Sequence, residues 1–339
     1  MEDSERFWNE PILAPTDVKR QHYAPVLFLK SFANPSGKIR VFDLDDGTEF
    51  RTAPTNAAVQ KNFNDLEIRG TILSTEEWLG QLENAAAPIL RALIESPDNI
   101  TQLSDQEEMH LARFITALRF RTPEFRINMS GMIDPIVERS TAMLQKQVIA
   151  KHGEEAASAW DEIKQKYDEQ LYGEPGGSQP ADLSTFSLGD VQGLANILWG
   201  APWRIGHVSA NLKLYTSDNP VAAFQHPVRE WWETAAFGSL IYYVPLSPSV
   251  LLKVERRLDG FDESDPGGSR RRRDFTSEET SVTRHVVSRE TTKYTFGDGL
   301  IVPRECANNC LQAIEDAKIR FAARFLGFNP NPPSFNYEG

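Results

Sequence analysis

The sequence predicts an α+β fold: a mainly helical N-terminal half with one β-hairpin, antiparallel strands in the C-terminal half, and a closing C-terminal helix. Three observations predict it. Two amphipathic runs open on Ser-x-x-Glu capping boxes, and an Asp-Gly turn joins two β-rich runs. The later apolar runs are short and irregularly spaced, unlike repeated βαβ units.

The clearest helix runs from Ser104 to Arg126. Ser104 and Glu107 form its capping box, each side chain meeting an orphan backbone donor of the other. Leu111, Phe114, Ile115 and Leu118 repeat as one buried stripe, and Pro123 stops or kinks the helix. Arg119, Arg121 and Arg126 are thereby delivered to the end of a core helix. A second helix spans Ser74 to Ile94, with Ser74 and Glu77 as its capping box and Leu79, Leu82, Ala86, Leu90 and Leu93 as its stripe. Glu83 falls inside that stripe, and Arg121 lies at the edge of the other. A carboxylate so placed needs a partner or a shifted pKa. The plain reading is a structural Glu83–Arg121 ion pair joining two helices; a catalytic carboxylate is the alternative.

Around these helices the remaining elements follow in order. Residues 1–20 form an irregular arm, and Val26 to Phe32 favour a short helix behind Pro25. Ile39–Asp43 and Thr48–Thr52 flank the turn Leu44–Gly47, and Lys61–Asp65 is irregular. Asp134 to Tyr172 reads as a charged helical stretch, and 173–182 as a breaker-rich subdomain boundary. A short helix covers Leu188 to Leu198. Leu212–Thr216, Ser239–Val244 and Val250–Glu255 read as strands, with Arg284–Val287 and Lys293–Phe296 weaker. Residues 258–281 read as a mobile loop in which Arg270–Arg273 is solvated, with phosphate or acidic-partner binding as the other use of that run. The last helix, Glu305 to Leu326, buries Cys310, Ile314, Ala317, Phe321 and Phe325, ahead of a proline-rich tail over 328–339. Residues 21–327 form one α+β domain.

The chain has 339 residues, 40% of them hydrophobic and 25% charged, as in an ordinary soluble protein. Its net charge of −12 argues against broad nucleic-acid binding. No apolar run approaches the roughly 20 residues that span a bilayer, and the acidic first residues are no signal peptide. Cytoplasmic localisation is expected. The two cysteines, Cys306 and Cys310, read as core thiols rather than a disulfide framework or a metal site. No cofactor and no metal are implied.

Familiar catalytic signatures are missing: no nucleophile elbow, P-loop, H-E-x-x-H, dinucleotide fingerprint or C-x-x-C pair occurs. Weaker features remain. His22 stands before a core segment, either as a satisfied structural histidine or as an acid–base group. Ser217-Asp218-Asn219-Pro220 follows a β-type run, where a displayed site and plain turn chemistry compete.

Several stretches together resemble a large, mainly microbial family known only as a domain of unknown function, number 4238. They are QHYAPVLFLKSFA from Gln21, KNFND from Lys61, EWLGQLENAAAPIL from Glu77, RFRTPEFR from Arg119, TSDNPV from Thr216 and VPLSPSVLL from Val244. Members often show KNFY where this chain has Asn64, and Gln-Phe-Tyr at Leu27-Phe28, so no aromatic hydroxyl is carried over at those positions. The resemblance implies a shared fold and a shared polar set, His22, Asn62, Glu83, Arg121 and Asp218, but no reaction.

Two functions follow as expectations. The first, slightly favoured, is a non-catalytic binding or inhibitory protein, for instance in microbe–phage conflict, with Trp8, Trp231 and Trp232 as contact anchors. The alternative is a hydrolase or nuclease-like enzyme on a phosphate-bearing or nucleotide-like substrate. There Asp218 and Glu83 would supply carboxylates, His22 an acid–base group, Arg121 an anion clamp, and Asn62 and Asn219 binding contacts. The partner expected is a protein or a small anionic ligand, with oligomerisation left open and no membrane contact.

Overall fold

Ser104 does cap the helix that the sequence marks most clearly. A computed structural model of the protein describes residues 14–68, 71–125, 191–225, 240–255, 270–299, 301–303 and 305–313; between 142 and 162 it describes 142–143, 145–151, 153, 159–160 and 162. In chain order the elements are β1 (Arg20–His22), α1 (Val26–Leu29), β2 (Ile39–Asp43), β3 (Glu49–Thr52), β4 (Val59–Lys61), β5 (Asp65–Ile68) and β6 (Thr71–Ser74). They continue with α2 (Glu76–Glu95), α3 (Asp105–Phe120), α4 (Val191–Trp199), β7 (Trp203–His207), β8 (Thr216–Ser217) and β9 (Ala222–Gln225). The last are β10 (Leu240–Pro245), β11 (Val250–Glu255), β12 (Arg270–Arg272), α5 (Ser277–Glu290) and β13 (Tyr294–Phe296).

The fold is α+β, but its layout differs from the expected one. The first half carries six strands, β1 to β6, where one hairpin and mainly helix were expected. The expected hairpin, β2–β3, is present with Ile39 opposite Thr52. A second hairpin pairs β5 with β6, and β1 pairs with β4 across 36 or more residues of chain. These extra strands are three or four residues long and partly polar, so they carry almost no alternation to read.

A four-stranded sheet, ordered β3-β2-β13-β8, joins the two ends of the chain, because β13 lies between β2 and β8. A five-stranded sheet follows the order β12-β7-β11-β10-β9 and is antiparallel except for the parallel β12–β7 pair. Both of its faces are covered. Tyr242, Val244, Leu252 and Val254 join Trp78, Leu82, Leu111 and Ile115 of the helical core, while Ile241, Tyr243 and Leu251 pack with Val286 and Val287 of α5. That double burial explains why β10 and β11 read as nearly continuous apolar runs. Gly206 permits the close approach of β12: a Cβ there would lie 2.3 Å from the Arg273 carbonyl oxygen, on backbone that cannot yield cheaply. Gly206→Ala is expected to cost about 1–3 kcal/mol by local overpacking, read as a lower urea midpoint.

Five local expectations need correction. Ser74 is not a helix cap; Thr75 holds the N-cap position of α2, and Ser74 belongs to β6, where it pairs with Asp65. The 212–215 stretch is not strand, and only Thr216–Ser217 forms β8. Arg284–Val287 lies in α5, because the capping box Thr276–Glu279 fixes a helix start that outweighs β-branched propensity. Within 258–281, residues 270–272 form β12 and Ser277 begins α5, so that part is ordered structure. Residues 305–313 are helical, but Ala307 and Leu311 are the buried positions there, while Cys306 is exposed and Cys310 half-buried. The rest of the predicted stripe, Ile314, Ala317, Phe321 and Phe325, lies outside the described residues. The 173–182 stretch and the proline-rich tail lie outside the described residues. No helix among those described is long and apolar enough to cross a membrane.

Candidate functional site

Arg121 is the C-cap of α3, placed there because the helix stops at Phe120 and Pro123 opens the next helical turn. Its Nη1 donates to Glu83 Oε1 at 2.8 Å, and its side chain is only 3% exposed against 24% for Glu83. The stripe on α2 that buries Leu79, Leu82 and Ala86 brings Glu83 there, as expected from helical spacing. The other edge of the guanidinium is different. Nε and Nη2 are buried and donate to no acceptor among the described residues.

A chain of polar contacts from β1 reaches the same place. Gln21, fully buried, donates from Nε2 to Asp65 Oδ1 and to the Val18 carbonyl (3.0 Å), and accepts from the Asn64 backbone N–H. Asn64 in turn donates from Nδ2 to Glu76 Oε1, at the start of α2. Ser74 Oγ donates to the Asn64 carbonyl at 3.1 Å. Burial raises the pKa of Glu76, against the lowering pull of Asn64 and Arg121 and with the raising push of Glu83 and Asp65. Glu76 and Glu83 are seven residues apart on α2, hence on one face.

His22 ends β1 beside these groups. Burial lowers its pKa most, the Thr55 carbonyl raises it, and Arg121 and Glu83 pull in opposite directions. The imidazole is therefore neutral at pH 7. Its Nε2 lies 3.2 Å from the Thr55 carbonyl oxygen, so the tautomer that donates there leaves Nδ1 as the acceptor. Asn62 sits in the turn before β5 with a φ of 55°, a left-handed conformation that asparagine tolerates. Its backbone N–H donates to the Lys19 carbonyl at 2.9 Å, and its Oδ1 is buried with no donor among the described residues.

Asp218 and Asn219 have other partners. Asp218 accepts from three successive backbone N–H groups, those of Thr292 (2.9 Å), Lys293 (2.6 Å) and Tyr294 (3.1 Å), and so clamps the chain between α5 and β13. Ser217 Oγ accepts from the Asn219 backbone and donates to its carbonyl, which is turn chemistry. Asn219 Nδ2 donates to Glu124 Oε2 at 2.8 Å and to the Glu290 carbonyl at 3.3 Å. Arg119 completes this second cluster, with Glu124 at 3.3 Å and Glu290 at 3.5 Å. Burial raises the Glu290 pKa, and Arg119 opposes that shift. Tyr23, which follows His22, feels the Asp218 charge. Thus His22, Glu83 and Arg121 share one environment, whereas the carboxylate of Asp218 is held by the backbone of another.

The family model described as a protein of unknown function, DUF4238, matches residues 20–296, from β1 to the end of β13. The chain belongs to the DUF4238 family. Neither the curated proteins nor the solved structures give a match.

In this DUF4238 protein, sequence reasoning found Glu83, Arg121 and His22 but missed Gln21, Asn64, Asp65, Thr75 and Glu76. One signal was available: the seven-residue step from Glu76 to Glu83 puts both carboxylates on the face that meets Arg121. The others depend on β1, β4, β5 and β6 closing together, which no local pattern announces. The aromatic anchors Trp8, Trp231 and Trp232 lie outside the described residues.

Proposed function

We propose that this is a cytosolic, non-catalytic binding protein whose ligand is a small phosphate-bearing or nucleotide-like anion held by Arg121. The observation that carries the reading is the buried Nε–Nη2 edge of Arg121, two parallel donors without an acceptor among the described residues. That edge is the geometry with which arginine grips phosphate or carboxylate in a bidentate manner. Glu83 holds the guanidinium from the other side and fixes its plane. The net charge of −12 supports a small ligand over a long polyanion. Titration calorimetry with inorganic phosphate and nucleoside monophosphates tests it. Saturable binding is expected, weakened about tenfold or more in Arg121→Lys, which keeps the charge facing Glu83 but loses the fork. Binding that is equally tight in Arg121→Lys would end the reading.

A second reading, a hydrolase or nuclease-like enzyme at the same site, draws on His22. Its neutral imidazole with Nδ1 as acceptor, under the influence of the Arg121 charge, is suited to take a proton from water. Turnover of a phosphomonoester that disappears in His22→Gln, with ligand binding retained, would favour this reading over simple binding.

A further inference from the structure

Resting on the anion reading above, we infer that the Arg121 site takes a phosphate attached to its own hydrogen-bond donors, hydroxyl or amine, with Asn64, Asp65 and Thr75 as their acceptors. The buried polar atoms without partners around Arg121 are of two kinds. The donors are Nε and Nη2 of Arg121; the acceptors are Asn64 Oδ1 and Asp65 Oδ2, and the Thr75 hydroxyl can play either part. They belong to one region. Thr75 N–H donates to the Asn64 carbonyl at 3.3 Å, Asn64 reaches Glu76, and Glu76 shares one face of α2 with Glu83, which holds Arg121 at 2.8 Å.

Buried polar atoms are almost always paired, and each exception destabilises the fold. A bare anion would satisfy Arg121 alone and leave the Asn64 and Asp65 oxygens without donors. An anion carrying O–H or N–H groups satisfies both kinds at once. Thr75 points the same way. It occupies the N-cap of a 20-residue helix, yet its hydroxyl makes no capping bond. Threonine at that position ordinarily accepts from the first turn. Here the buried hydroxyl is left without a partner among the described residues.

The test uses the full chain and three probes in calorimetry: methyl phosphate, ribose 5-phosphate and 2-aminoethyl phosphate. At least one donor-bearing probe is expected to bind about tenfold tighter than methyl phosphate, the worth of one or two well-placed hydrogen bonds. Ribose 5-phosphate winning assigns hydroxyl donors, and 2-aminoethyl phosphate winning assigns an ammonium. Thr75→Val should reduce that preference. It should also fold with an equal or higher melting midpoint, since the hydroxyl it removes has no protein partner. Equal binding of all three probes, dependent on Arg121, would overturn this inference and leave the anion reading standing. A preference unchanged by Thr75→Val would overturn the role of that hydroxyl, and with it the inference. No Arg121-dependent binding of any probe would overturn both.

Discussion

Glu83→Leu is expected to destabilise the protein by about 3–5 kcal/mol, because it leaves a buried arginine charge unpaired. Arg121→Met should cost much less, about 1 kcal/mol or below, although it breaks the same 2.8 Å ion pair. The asymmetry comes from what each change strands. Without Glu83, a guanidinium that is 3% exposed loses its protein acceptor while two of its nitrogens already lack one. Without Arg121, the carboxylate that remains is 24% exposed and can turn to water, and the two unmatched nitrogens are gone as well. Urea denaturation of the two single variants decides it. Equal losses would mean that the remaining edge of Arg121 is satisfied in the folded protein, which would remove the basis for a ligand there.

The Glu83–Arg121 pair was legible in the sequence because helical periodicity is a local rule. Counting about 100° per residue put Glu83 in a buried stripe and Arg121 at the end of another, and two buried stripes must meet. The Ser104 capping box was legible for the same reason. An identical pattern at Ser74 and Glu77 misled, since Ser74 is claimed by the β5–β6 hairpin and its hydroxyl is turned to Asn64. Local rules state what a segment prefers when nothing else competes for it. The small strands of the first half obey the opposite logic: Arg20 lies opposite Lys61 and Phe42 opposite Thr295, pairings set by closure of the whole chain. Most of the polar site rests on those pairings. Arg121 and Glu83 could therefore be named in advance, while Asn64, Asp65 and Thr75 could not.

The same limit explains Arg270, whose charge run suggested a solvated loop. In the fold its Nε and Nη2 donate to the two carboxylate oxygens of Glu108 at 2.9 and 3.0 Å, a bidentate pair with side chains 8% and 11% exposed. Its nitrogens also reach the carbonyls of Ala201 (2.9 Å) and Trp199 (2.7 Å), and the guanidinium lies 4.3 Å over the Trp203 ring. One side chain thus ties β12 to α3 and to the turn between α4 and β7. Arg270→Ala is expected to cost about 3–5 kcal/mol, because it leaves a buried carboxylate and two carbonyls without donors. Arg270→Lys should recover little, since a single ammonium cannot fork to both oxygens or stack on the ring. The double variant Glu108→Leu/Arg270→Met should regain much of the loss by removing both charges together. A double-mutant cycle measures this coupling by denaturation. An Arg270→Ala variant within about 1 kcal/mol of wild type would return the segment to the solvated class that its charge pattern suggested.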